Sequence, residues 1–159
     1  MTQPITEQII DRLVTLLQAI TIANGYNQNV KEVKRFTAPR DVLFTSHPGI
    51  LILVDRIEKE DTQDYGSQEC KLYVELGAFI NDTRNTAQSI AVFAADIEKK
   101  LGIDAGADGW QGAGLATDLA VTEINYDYID PDKGGTTGIA VIDVVIDYRH
   151  QRDDPYSVN

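Results

Sequence analysis

The chain has 159 residues, 43% of them apolar, with 14 basic against 25 acidic side chains and a net charge of −11. That length suits one domain around a single hydrophobic core, and the composition excludes a disordered chain. Nothing approaches the roughly 20 consecutive apolar residues that span a bilayer, so no membrane role is expected.

The first predicted element is an amphipathic helix from Thr6 to about Ala23. Ile5, Ile9, Leu13, Leu16, Leu17 and Ile20 recur at helical spacing, and Ile10 and Val14 broaden the stripe. Pro4 suits a first turn, Thr6 can cap, and Asn24-Gly25 is a stop signal. Val30 to Phe36 reads as a charged strand whose lysines suit a sheet edge. A loop with Pro39 and Pro48 follows, then Ile50 to Val54, apolar on both faces and so expected as a central strand.

A turn at Asp61 to Ser67 leads into an alternating strand, with Cys70, Leu72, Val74 and Leu76 on one face and Lys71, Tyr73 and Glu75 on the other. These two strands are expected to form an antiparallel hairpin. A second helix is predicted over Thr83 to Leu101, with Ala87, Ile90, Ala91, Ala94, Ile97 and Leu101 as its stripe and Gly102 as its end. Gly102 to Gly114 then reads as a glycine-rich loop around Trp110. Leu119–Ile129 and Thr136–Tyr148 form a long hairpin across the turn Asp130 to Gly135. In its second strand Ala140, Ile142, Val144, Ile146 and Tyr148 share one face, opposite Asp143, Asp147 and Arg149. The predicted architecture is α+β: a mostly antiparallel sheet of about five strands packed by two helices. Residues 1–159 are read as one domain with a short extended tail from about residue 149.

Catalytic patterns are missing from the sequence. A single cysteine, Cys70, excludes an intramolecular disulfide and a thiolate metal cluster, and its alternating context predicts burial. Two histidines, His47 and His150, cannot supply three ligands to a metal. Asp130, Asp132 and Gly134 resemble the start of a calcium loop, but Val141 stands where its twelfth-position carboxylate belongs. The Gly102–Gly114 loop follows a helix instead of opening one and lacks a Gly-Lys-Ser/Thr ending, which argues against phosphate binding. There is no Gly-x-Ser-x-Gly elbow. Carboxylate pairs such as Asp153-Asp154, or Asp104 and Asp108, are what any chain this acidic contains. No cofactor, metal or catalytic residue is assigned.

The charge excess is uneven, with 8 basic and 11 acidic side chains in residues 1–80 against 6 and 14 in residues 81–159. Such a surface repels nucleic-acid phosphates and also lets DNA slide past without sticking. Tyr148, Arg149, Arg152 and Tyr156 are of types enriched at protein interfaces. Together with His150 they form one candidate contact patch, and the basic edge strand with Lys31, Lys34 and Arg35 forms a second.

The helix Ile5 to Leu13, Gly25-Tyr26, the basic strand at Val33-Lys34-Arg35, Pro48-Gly49-Ile50-Leu51-Ile52, and the ending Ile146-Asp147-Tyr148-Arg149-His150 with Asp154-Pro155-Tyr156 together form a pattern. It resembles the tail terminator and related tail-completion proteins of long-tailed bacteriophages. The order helix, strands, helix, hairpin covers nearly the whole chain; the Gly102–Gly114 loop and the length of the final hairpin depart from it. The resemblance implies a structural protein, not an enzyme, that folds in the host cytoplasm and joins the virion at the head-proximal end of the tail. It implies a self-associated six-fold ring that caps the tube, with the major tail tube protein and a neck or connector protein as partners. Genome DNA would pass through its lumen without specific binding. Two alternatives stand beside it: a neck connector or stopper between portal and tail, and a small ligand-binding or hydrolase domain with the Trp110 loop as its lid.

Overall fold

The structure, a computed structural model, describes residues 2–36, 46–60, 66–106, 114–128 and 136–157. The chain runs α1 (Ile5–Gln18), a 3-10 turn (Ile22–Asn24), β1 (Glu32–Arg35), β2 (Gly49–Glu60), β3 (Ser67–Asn81), α2 (Thr86–Gly106), β4 (Asp118–Tyr128) and β5 (Thr137–Gln151). The five strands form one sheet in the order β1-β2-β3-β5-β4. Only β1 and β2 pair in parallel; the other three ladders are antiparallel. The fold is therefore α+β, as the sequence pattern indicates.

Both helices cover one face of the sheet. Cys70, Leu72, Val74, Leu76, Ala78 and Ile80 of β3 and Ala140, Ile142, Val144, Ile146 and Tyr148 of β5 are buried there, with the apolar stripes of α1 and α2 in the same cluster. The alternation of β3 and β5 is what places every second side chain in this core.

Both helices differ in extent from the periodicity. α1 ends at Gln18, because Thr21 adopts an extended conformation (φ −141°, ψ 154°) and a 3-10 turn closes on Gly25 at φ +85°. Only glycine takes that left-handed angle at little cost, so the stop signal at Gly25 closes the turn and not the helix. Thr6 does not cap. Pro4 occupies the N-cap position without a side-chain bond, and the amide of Ile5 donates to the Pro155 carbonyl at 3.0 Å.

α2 begins three residues later than the periodicity suggests and runs through Gly102 to Gly106. Its buried residues are Ile90, Phe93, Ala94, Asp96, Ile97 and Leu101, whereas Ala87 and Ala91 are exposed. Bulky Phe93 sets the face, and alanine fits either side of a helix. Asp82 precedes the helix and accepts bonds from the amides of Arg84 and Asn85 and from the Ser89 hydroxyl. These bonds hold its carboxyl below the usual range, the Ser89 hydroxyl contributing most.

The turn Asp130 to Gly135, with its calcium-like aspartates, and Trp110 lie outside the described residues, as do residues 61–65 and most of the 37–48 loop. The peptide bond between His47 and Pro48 is cis.

Two glycines differ in what surrounds them. A Cβ at Gly138 would lie 2.9 Å from Thr86 Cγ2 and 3.0 Å from Ile90 Cβ, so the first turns of α2 rest on β5 there. A Cβ at Gly102 would meet nothing within 4 Å. Gly138→Ala is expected to destabilise by about 1–3 kcal/mol through overpacking. Gly102→Ala should stabilise by about 0.5–1 kcal/mol by restricting the unfolded chain and favouring the helix. Urea midpoints of the two variants, read against the parent, check both signs.

Candidate interaction surface

The face of the sheet turned away from the helices carries the surface of interest. Register aligns its side chains in cross-strand rows. Phe79 and Ile139 lie beside Asp127 in one row, and Leu51, Gly77 and Val141 beside Asn125 in the next. A third row reads Leu53, Glu75, Asp143 and Glu123. The fourth holds Arg56, Tyr73, Val145 and Ala120, and the fifth Glu58, Lys71, Asp147 and Asp118. Irregularities between Val54 and Arg56 and between Val121 and Glu123 shift β2 and β4 by one residue, which keeps charged side chains on this face.

Cations on this face are largely taken up locally. Lys71 sits 3.0 Å from Glu60 and 3.4 Å from Asp147, and Arg149 contacts Glu69 at 2.5 Å. Arg56 pairs with Asp55 at 2.6 Å and Glu58 at 2.9 Å, and lies 3.7 Å above the Tyr73 ring, whose hydroxyl donates to Glu58 at 2.9 Å. Arg56 and the Tyr73 hydroxyl lower the Glu58 pKa, Arg56 most, and the same bond raises the Tyr73 phenol. The third row differs. Glu75, Asp143 and Glu123 lie side by side on adjacent strands, and among the described residues none has a cation within salt-bridge distance. Like charges directly opposite one another across strands are unfavourable, and the Asn125 amide, which donates to Glu123 at 2.9 Å, offsets only part of that cost.

The residues singled out in the sequence separate into two groups. Tyr148 and His150 are buried, at 3% and 2% exposure, and are not available to a partner. They continue the even-numbered core face of β5. Burial raises the Tyr148 phenol well above its ordinary range, and the Cys70 thiol opposite it on the ladder adds to the rise. Burial likewise raises the Cys70 thiol. His150 Nδ1 contacts its neighbour's carbonyl, that of Gln151, at 2.6 Å.

The expected extended tail from residue 149 is instead folded. β5 continues to Gln151, and a turn follows in which Gln151 bonds to Ser157, Asp154 to Gln151, and the amide of Arg152 to Gly66. Asp154 accepts from the Ser157 hydroxyl and the Tyr156 amide, which hold its carboxyl below its ordinary value, Ser157 most. Arg149 and Tyr156 remain exposed, and Arg152 is half-buried.

In the basic strand Lys31 is exposed, Lys34 contacts Glu32 at 2.9 Å, and Arg35 turns inward to α1. Its two nitrogens bond the two oxygens of Glu7 at 2.8 and 3.0 Å, with Asp11 at 3.8 Å. Arg35 thus ties β1 to α1. This bidentate bond lowers the Glu7 pKa.

One buried carboxylate escaped the sequence reading. Asp96 of α2, 2% exposed, accepts from the amides of Asn27 and Gln28 at 2.8 and 3.0 Å and from Asn27 Nδ2 at 2.9 Å. It fastens the segment after the 3-10 turn to α2; an aspartate four residues from either Val92 or Lys100 gives no such signal in a pattern.

Three open depressions, of about 190, 390 and 450 Å³, mark the surface. The smallest is lined by the Lys71 and Arg149 ion pairs, and the second by Arg56, Tyr73, Glu75 and Asp143. Among the described residues no group of three or more His, Cys, Asp or Glu is placed to hold a metal ion, and no helix is long and apolar enough to cross a membrane. No protein-family model matches the chain, and no curated protein matches its sequence.

Two measurements follow from these contacts. Glu7→Gln should lower stability at pH 7 by less than about 1 kcal/mol, since the pair is partly exposed. Because the folded pKa of Glu7 is depressed, its contribution is present above the ordinary value of about 4.3 and fades as pH falls through the folded pKa. Denaturation curves of parent and variant should therefore converge below that range. Native Cys70 should resist a thiol reagent at pH 8 and react fully in 6 M guanidinium, as counted by released chromophore.

Proposed function

We propose that this chain is a structural subunit that assembles into a ring capping a phage tail tube, ends growth of the tube, and offers the surface to which the head is joined. The carrying observation is the asymmetry of the sheet: helices close one face, while the other is open and crossed by the Glu75, Asp143 and Glu123 row. A ring with that face inward has a wall of fixed negative charge. DNA passing through such a lumen is repelled from the wall instead of adsorbing to it, because phosphate binding depends on neutralising cations. The cations beside the row are held by neighbouring carboxylates, which keeps them from acting as phosphate clamps.

The rigidity of the fold also suits a structural part. The first turn of α1 is bonded to the turn after β5 and Asp96 locks a loop to a helix, so the surfaces it offers are preformed. On this reading the partners are further copies of the chain, the tail tube protein and a neck protein. The virion is its final location, and it performs no catalysis.

Gold-labelled protein mixed with isolated tail tubes, viewed by negative stain, should mark one tube end only and halt growth there. Label found instead on tailless heads would replace the cap by a neck connector, and label on neither would end both readings. Particles built with the Glu75→Lys, Asp143→Lys chain should have tails of normal length yet release DNA more slowly than the parent. Equal release rates would remove the wall from the proposal.

A further inference from the structure

The step from Asn24 to Gly25, at the end of the 3-10 turn, is the only place in the chain where an asparagine precedes a glycine. Both residues are exposed. The pair has a chemistry of its own. The main-chain nitrogen of the second residue can attack the side-chain amide of the first, and glycine, having no Cβ, obstructs that attack least.

In the fold both nitrogens that the reaction needs are held. The Gly25 amide donates to the Ile22 carbonyl at 3.0 Å, and Asn24 Nδ2 donates to the Ala19 carbonyl, at the end of α1, at 2.8 Å. The amides of Asn24 and Tyr26 both donate to the Thr21 carbonyl, at 3.0 and 3.2 Å. Lys99 of α2 donates to the Gly25 carbonyl at 3.2 Å. Just beyond, Asp96 holds the amides of Asn27 and Gln28.

We propose that Asn24 is a modification site gated by this clasp: it converts itself to aspartate and isoaspartate, with water as the other reactant, when the segment 19–30 opens. In the open segment water takes the Gly25 amide proton and the nitrogen bonds to Asn24 Cγ. The bond from Cγ to Nδ2 breaks, and ammonia leaves with a proton returned by water. Water then adds to either carbonyl of the cyclic imide. Attack at one gives aspartate and at the other isoaspartate, with nothing oxidised or reduced.

Isoaspartate is the disruptive product, because it adds a carbon to the main chain. The segment is closed at its base, with the Val30 amide on the Ile20 carbonyl at 3.0 Å and the Ile22 amide on Asn29 Oδ1 at 2.8 Å. A longer main chain inside that closure draws Asn27 and Gln28 off Asp96. The carboxylate, 2% exposed, then loses donors it cannot replace from water. A passing local opening is thereby recorded as a covalent change that keeps the segment open.

The test follows conversion in the full chain at mildly alkaline pH by peptide mass and by enzymatic methylation of isoaspartate. The folded parent should convert at Asn24 at least about tenfold more slowly than the same chain in concentrated guanidinium, since only its opened fraction reacts. Asn27→Ala removes one bond to Asp96 from an exposed side chain and should speed native conversion about fivefold, the worth of one such bond. Asp96→Asn should speed it further, and Asn27→Ala carries the test alone where that variant does not melt cooperatively. In guanidinium Gly25→Ala should slow conversion, because its Cβ hinders the attacking nitrogen.

Equal rates in the folded and unfolded parent, or native rates unmoved by Asn27→Ala, overturn the gate. No conversion at Asn24 in guanidinium overturns the site itself. The purified isoaspartate form should have lost hydrogen-exchange protection at the Asn27 and Gln28 amides; protection equal to the parent's overturns the coupling to Asp96.

Discussion

Everything in this molecule depends on one ladder. β3 and β5 pair without interruption from Ser67 opposite Gln151 to Asn81 opposite Thr137. The two strands lie on either side of α2 and β4 in sequence, so the ladder is made of distant contacts whose loop-closure entropy must be met before any of them helps. Its register decides which side chains enter the core. A slip of β5 by one residue would put Asp143 and Asp147 under the helices and Ile142 and Ile146 in water. The same register that builds the core also lines up the carboxylates on the opposite face. Core and surface are one choice made once.

The helices translate that choice into a two-sided molecule. α1 and α2 lie on one face, and their stripes finish the core that β3 and β5 begin. Tight contact at Gly138 fixes where α2 begins along β5, and Arg35 with Glu7 fixes α1 against the edge. Neither device contributes to the open face. It is left with ion pairs at one end and apolar residues at the other, and a row of like charges between them. On the reading proposed above, that row is the charged part of a wall that faces DNA.

Much of this was readable in the sequence, and the parts that were not have physical causes. The stripes of α1 and β3 and the even-numbered face of β5 follow from periodicity alone. The same parity puts Tyr148 and His150 inside, so the signal for their burial was present and the aromatic, charged composition around them masked it. Alanine misled the reading of α2, because Ala87 and Ala91 are too small to declare a face while Phe93 is not. The end of α1 turned on one extended residue, Thr21, that propensity does not mark. The acidic row could not be read from any strand alone. Glu75 and Asp143 follow from alternation, but placing Glu123 beside them requires the register and the irregularity at Thr122.

The bond from the Ile5 amide to the Pro155 carbonyl has a mechanical meaning. It brings the first turn of α1 against the turn that follows β5, so tension applied at those two points first meets a single backbone bond and the small turn around Asp154. Once that yields, the load passes straight into β5, the strand that holds both β3 and β4. A subunit pulled from these points would resist little, then fail at its centre.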